Sequence, residues 1–123
     1  MTKSEELLNG EVETYYKDGE LASDCVYADG KKNGVWKSYH KNGNLKAQGR
    51  FVNDCVNGPW KFYRNNGKLW QVGKFDSNKR EGCWKRYHHN GKLMDEGEFQ
   101  RSKKVGEWLF FDESGKLIKT KTY

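Results

Sequence analysis

Gly10, Gly34, Gly58, Gly82 and Gly106 stand 24 residues apart, and each begins a copy of one pattern, Gly-x-Trp-x-x-Tyr-x-x-Asn-Gly-x-Leu-x-x-x-Gly-x-Phe. A period kept without insertion or deletion means that every unit is one supersecondary element, which buries its apolar residues against neighbours of its own kind. The expected division is an N-terminal cap segment, 1–9, followed by five units at 10–33, 34–57, 58–81, 82–105 and 106–123. A length of 123 residues suits one domain.

Position by position, the third residue of the unit is Val12, Trp36, Trp60, Trp84 and Trp108, and the sixth is Tyr15, Tyr39, Tyr63, Tyr87 and Phe111. The tenth is always Gly, preceded by Asp18, Asn42, Asn66, Asn90 or Ser114; Leu follows two positions later, and apolar and small residues then alternate up to Tyr27, Phe51, Phe75, Phe99 and Tyr123. A short aromatic strand, a turn ending in Gly and a longer strand of period two make a β-hairpin. The polar stretches Asn53 to Asn57 and Ser77 to Glu81 read as short loops leading to the next unit. The expectation is an all-β fold, a single-layer curved antiparallel sheet of five stacked hairpins, on the order of 45 Å long at ~4.8 Å per strand. Helix is expected only within the cap, as a turn from Ser4.

Two hairpin registers compete. A two-residue turn needs positive φ at both central residues, whereas a three-residue turn closed by a glycine bulge needs it only at Gly. Asp18 and Ser114 in the Asn slot favour the second. That register sets Tyr39 across from Leu45 with Phe51 on the same face and Trp36 on the other; in its rival, Trp36 covers Gly49.

The unit, complete at Gly34 to Phe51, Gly58 to Phe75 and Gly82 to Phe99, resembles the MORN-repeat variant of bacterial proteins in the YwqK-type antitoxin family. The likeness spans residues 10 to 123 and departs from the pattern at Val12, at Cys25 and at Lys121, which replaces the glycine of the last unit. End units of a stacked array are commonly atypical because one side faces water. The resemblance implies a hairpin ladder that contacts proteins or membranes, with a toxin among the partners it brings in, and it carries no residue-level site.

With 34% hydrophobic and 33% charged residues, an ordinary two-layer core would be under-filled, and five Trp, seven Tyr and six Phe do much of the burying. No apolar run reaches the length of a signal or a membrane span, which points to the cytoplasm, where Cys25, Cys55 and Cys83 would remain free thiols. Catalytic residues are not expected: His40 and His88 share a slot with Tyr16, Arg64 and Asp112, as a tolerant surface position would. Cys83, His88 and His89 lack metal-ligand spacing, and no glycine-rich loop runs from a strand into a helix to cradle a nucleotide. Neither cofactor nor metal is expected.

Charge is uneven. Residues 1 to 33 carry four Lys or Arg against eight Asp or Glu, residues 34 to 105 carry sixteen against six, and the remainder balances. Lys37, Lys61 and Lys85 share one slot and should form a row roughly 10 Å apart, twice the strand spacing. With Arg64, Arg86 and the tryptophans Trp36, Trp60 and Trp84, they are the candidate partner-binding residues. The expected function is a non-enzymatic protein-binding or scaffolding module of antitoxin type, with no small-molecule substrate. The alternative is binding of an anionic membrane or nucleic acid through the basic middle units. The free sheet edges would also permit self-association.

Overall fold

The computed structural model describes residues 7–123. Ten strands follow one another: β1 (Gly10–Tyr15), β2 (Leu21–Ala28), β3 (Lys31–Tyr39), β4 (Leu45–Val52), β5 (Cys55–Tyr63), β6 (Leu69–Asp76), β7 (Lys79–Tyr87), β8 (Leu93–Gln100), β9 (Lys103–Phe111) and β10 (Leu117–Thr122). They form one open, curved antiparallel sheet in strictly sequential order, with no helix among the described residues. The helical turn expected from Ser4 lies outside those residues. Leu7 to Asn9 do cover the first units: the Gly30 amide donates to the Leu8 carbonyl at 2.8 Å, and the Asp29 amide to Asn9 Oδ1 at 3.0 Å.

The expected loops between units shrink to two residues. Asn53 and Asp54 have φ of 48° and 68°, Ser77 and Asn78 47° and 72°, Arg101 and Ser102 49° and 68°, and Asp29 and Gly30 50° and 81°. Two successive positive φ values are the signature of a type I′ turn, whose twist matches that of the flanking strands. Cys55, Val56 and Asn57, read as loop, therefore open β5, and the first strand of each full unit grows to nine residues. Side chains meet part of the cost of the strained turns by tying each to the next: Lys32 N donates to Asp54 Oδ1, Val56 N to Asn78 Oδ1 and Arg80 N to Ser102 Oγ, at 2.7, 2.7 and 3.0 Å.

Inside each hairpin the turn is the three-residue type. His40 N donates to Asn44 O and Gly43 N to His40 O, at 2.8 and 2.9 Å, and only Gly43 takes a positive φ, of 92°. The Asn of the motif is there for its side chain: Asn42 Oδ1 accepts from Asn44 N, as Asp18, Asn66 and Asn90 do from the residue two ahead. Ser114 cannot reach its counterpart, and Asp112 Oδ1 caps that turn instead.

Both competing registers turn out to hold, one in each half of the hairpin. Tyr39 pairs with Leu45 beside the turn; a bulge then shifts the pairing, so that Ser38 meets Ala47, Trp36 meets Gly49 and Gly34 meets Phe51. The extra residue, Lys46, reverses the alternation. Phe51 thus lies on the face of Trp36, with ring centroids 5.8 Å apart, and not on the face of Tyr39 as expected.

The core is a ribbon of rings along this one face. Three of the tryptophans lean onto the glycine of the preceding unit: a Cβ on Gly49, Gly73 or Gly97 would stand 2.0, 2.0 or 2.1 Å from the ring of Trp60, Trp84 or Trp108. The indole nitrogens donate to Arg50 O, Lys74 O and Glu98 O at 3.2, 3.1 and 3.2 Å. Phe51, Phe75 and Phe99 stand edge-on between successive tryptophans. Lying flat on bare backbone, Trp60, Trp84 and Trp108 are 3%, 2% and 3% exposed in a sheet only one layer thick.

Candidate functional site

The sheet separates the candidate residues onto opposite faces. On one, cross-strand pairing makes a continuous line of Glu13, Asp24, Lys37, Gln48, Lys61, Val72, Lys85, Glu96 and Leu109. Lys37, Lys61 and Lys85 occupy every second strand of its middle, and Glu13 and Asp24 make its start acidic. At the junction the Tyr39 hydroxyl donates to Asp24 Oδ2 at 3.3 Å; burial first, and then the charge of Asp24, push this phenol above its ordinary pKa.

Trp36, Trp60, Trp84, Arg64 and Arg86 belong to the other face. Trp60 and Trp84, candidates for meeting a partner, are closed to one, since their rings are buried against Gly49 and Gly73. Cations lie over the row: Lys32 is 4.9 Å from the Phe51 centroid, Arg80 4.9 Å from that of Trp84, and Lys104 4.8 Å from that of Trp108. Arg86 is engaged within the sheet, donating through Nε and Nη2 to Asp95, a carboxylate only 2% exposed. That bond raises the pKa of the guanidinium.

Arg64 is likewise committed, and it overturns the reading of its slot as tolerant surface. Arg64 Nη2 donates to Tyr87 O at 2.7 Å, Tyr16 Oη to Tyr39 O at 2.6 Å, His40 Nε2 to Tyr63 O at 3.0 Å and His88 Nε2 to Phe111 O at 2.8 Å. A carbonyl can only accept, so both histidines carry their proton on Nε2. Chemically unlike side chains fit one slot because each is long enough to staple its unit to the next. Cys83, His88 and His89 do not converge, and no group of three His, Cys, Asp or Glu side chains suited to a metal gathers among the described residues.

The same face opens into a groove of about 1040 Å³ across β3 to β6. Its floor is Ser38 and Ala47, its walls are Trp36, Phe62 and Trp70, and Lys46, Arg64 and His89 stand at its rim. The groove exists because three side chains depart from the pattern of the later units. Cys25 holds the slot of Gly49, Gly73 and Gly97 and pairs with Trp36. Its Sγ donates to Val26 O at 3.4 Å, occupying the carbonyl that an indole nitrogen takes in later units. Trp36 cannot settle there and stays half-buried, tilted 37° to Trp60. Ser38 and Ala47 then leave empty the layer that Phe62 and Gln71, or Arg86 and Asp95, fill further on.

Models of known families support this ladder: the MORN repeat variant matches residues 8–29, 32–53, 56–76, 80–101 and 104–123. The chain belongs to the MORN repeat variant family. No curated protein matches it. MORN repeats are in general modules that bind proteins or membranes. The first four matched MORN units end at or beside a type I′ turn, so the structural break between units falls a few residues before the glycines at 34, 58, 82 and 106.

The MORN pattern showed where the lysine row would run. It did not show the groove, whose only signal in the sequence is small or odd residues, Cys25, Ser38 and Ala47, in slots where the third and fourth MORN units carry Gly, Phe or Arg, and Gln or Asp.

Proposed function

We propose that this protein is a non-enzymatic binding module that docks an acidic protein partner on its lysine face. The observation that carries the reading is the register: Lys37, Lys61 and Lys85 fall on one cross-strand line, spaced by Gln48 and Val72. Unlike Arg86, none of these lysines is held in an ion pair among the described residues. Such a row adds little to sheet stability and much to the rate and specificity of encounter. A toxin is the partner that the antitoxin resemblance supplies, and a reducing cytoplasm is the compartment that three free thiols suit. An anionic bilayer offers the same row a second class of surface, in keeping with the membrane-binding habit of MORN repeats.

The test compares the wild type with the triple variant Lys37→Glu, Lys61→Glu, Lys85→Glu. Capture from the source cell should yield an acidic protein that the wild type loses as salt rises and that the folded triple variant fails to hold. Equal retention by both proteins at every salt concentration would remove the lysine row from the function. Pelleting with phosphatidylserine vesicles, in place of protein capture, would favour the bilayer.

A further inference from the structure

We propose that the groove on the tryptophan face is a second binding site, and that it takes a short extended acidic peptide segment of a partner protein, with one aromatic or branched aliphatic side chain anchored inside. The inference rests on the chain being a protein-binding module but not on the lysine row, which lies on the opposite face.

Three observations select this occupant. First, the groove is apolar where it is deep and cationic where it is shallow: the small floor at Ser38 and Ala47 leaves room for a large side chain between Trp36 and Phe62, while Lys46 and His89 are exposed at the rim. No Asp or Glu lines it, although the chain carries 17 of them. Second, the groove crosses four strands, a span of roughly 14 Å between the outer two, which an extended chain covers in about four or five residues. Third, its cations are few. Arg64 already donates to Tyr87 O and to His89 Nε2, and His40 to Tyr63 O, leaving, among the described residues, the Lys46 ammonium as the free cation of the rim. The Lys46 ammonium and the Arg64 guanidinium beside it suit one or two carboxylates on an apolar segment. They fall short of the several phosphates that a nucleic acid neutralises when it binds, and a recessed floor is out of reach of a flat bilayer. The indoles of Trp36 and Trp70, the latter 36% exposed, supply rigid contact area at small entropic cost.

The structure also supplies a variant that fills the site with the protein's own solution. Ser38→Phe with Ala47→Gln transplants the pair Phe62 and Gln71 from the next unit, where the same backbone accepts it. A random-peptide phage library panned on the wild-type protein should enrich Asp and Glu around Trp, Phe, Leu or Ile. Selected peptides, synthesised with a fluorescein label and followed by anisotropy, should bind the filled-groove variant at least tenfold more weakly and Lys46→Glu several-fold more weakly. Lys61→Glu, on the other face, should bind them as the wild type does. Because Lys46 is exposed, its variant keeps the test decisive even if the double substitution fails to fold. Selection of peptides without acidic residues, equal binding to the Lys46→Glu protein, or displacement of the peptides by an oligo-dT strand or phosphatidylserine vesicles would overturn the proposal. Loss of peptide binding in Lys61→Glu alone would assign the peptides to the lysine face and leave the groove without a ligand.

Discussion

The layer of the tryptophan face at Ser38 and Ala47 and the equivalent layer at Arg86 and Asp95, two units on, share backbone and register, yet one is a groove of about 1040 Å³ and the other retains a cavity of only 210 Å³. The difference is made by side-chain volume. Phe62, Phe75 and Phe110 pack against Trp84, Phe99 and Trp108 in the later units, and Arg86 reaches over the buried Asp95. In the second unit the same positions hold a hydroxymethyl and a methyl group, and Cys25 props Trp36 away from the backbone. A repeat array thus separates the residues that build the frame, which must recur, from those that fill a layer, which are free to leave a site.

The largest test of this contrast compares two tryptophans. Trp84→Ala should cost about 3–5 kcal/mol, the usual loss for a large buried ring, and Trp36→Ala about 1–2 kcal/mol, because its ring is already half solvated. Urea titrations of the two variants would read the gap; equal losses would mean that the two layers are packed alike. Next, Arg86→Ala strands the Asp95 carboxylate. Breaking a fully buried pair costs 3–5 kcal/mol, and with the Arg86 side chain 44% exposed a loss of about 2–3 kcal/mol is expected. Arg86→Ser with Asp95→Ala, which rewrites the fourth unit as the second, should lose less than the single change, since no charge is left unpaired; a double variant less stable than Arg86→Ala would show that the pair does more than satisfy itself.

A smaller effect follows from restoring the missing glycine. Cys25→Gly should let Trp36 sink onto the strand as Trp60 does, shifting tryptophan emission to the blue and narrowing the groove. The stability change should stay within about 1 kcal/mol, because the burial gained is offset by the flexibility of glycine in a strand. Unaltered emission would mean that something other than Cys25 holds the indole out.

The turns vary between units in the same way as the layers. Arg101 and Ser102 sit in a type I′ turn at φ of 49° and 68°, where Asn is preferred at the first position, so Arg101→Asn, which keeps the bond from Arg80 N to Ser102 Oγ, should add about 0.5 kcal/mol, read as a raised melting temperature. The smallest effect concerns the fifth hairpin, where a carboxylate replaces the amide cap. Its hydrogen bond from Ser114, and then those from backbone amides, hold the Asp112 pKa below the ordinary carboxylate value. A depressed folded pKa means that the contribution is present above the unfolded value and lost as pH falls through the folded one. Asp112→Asn should therefore flatten the acid limb of stability against pH; an unchanged limb would show that the cap contributes nothing.

Much of the fold was legible in the chain. The recurring Gly43 and its counterparts marked the bulged turn, and the tryptophans and phenylalanines marked the strands but not the one face they share, because the bulge at Lys46 that brings Phe51 beside Trp36 has no residue that announces it. The loops were misread because Ser77 and Arg101 do not announce positive φ; what holds them there is bonding to side chains twenty residues away, Asn57 and Glu81. The slot of Tyr16, His40, Arg64 and His88 was misread for a related reason. Its requirement is reach, which residues of different chemistry share, so a comparison of residue types cannot find it.

The 24-residue period by itself determined the number of units, the hairpin, its glycine turn and the row of Lys37, Lys61 and Lys85, because identical units must meet identical neighbours through identical positions. The tertiary structure alone decided which rings are open. Whether a tryptophan lies flat or stands away depends on the residue it meets in the preceding unit, Gly49 beneath Trp60 or Cys25 beneath Trp36, and that encounter is made only when the units stack.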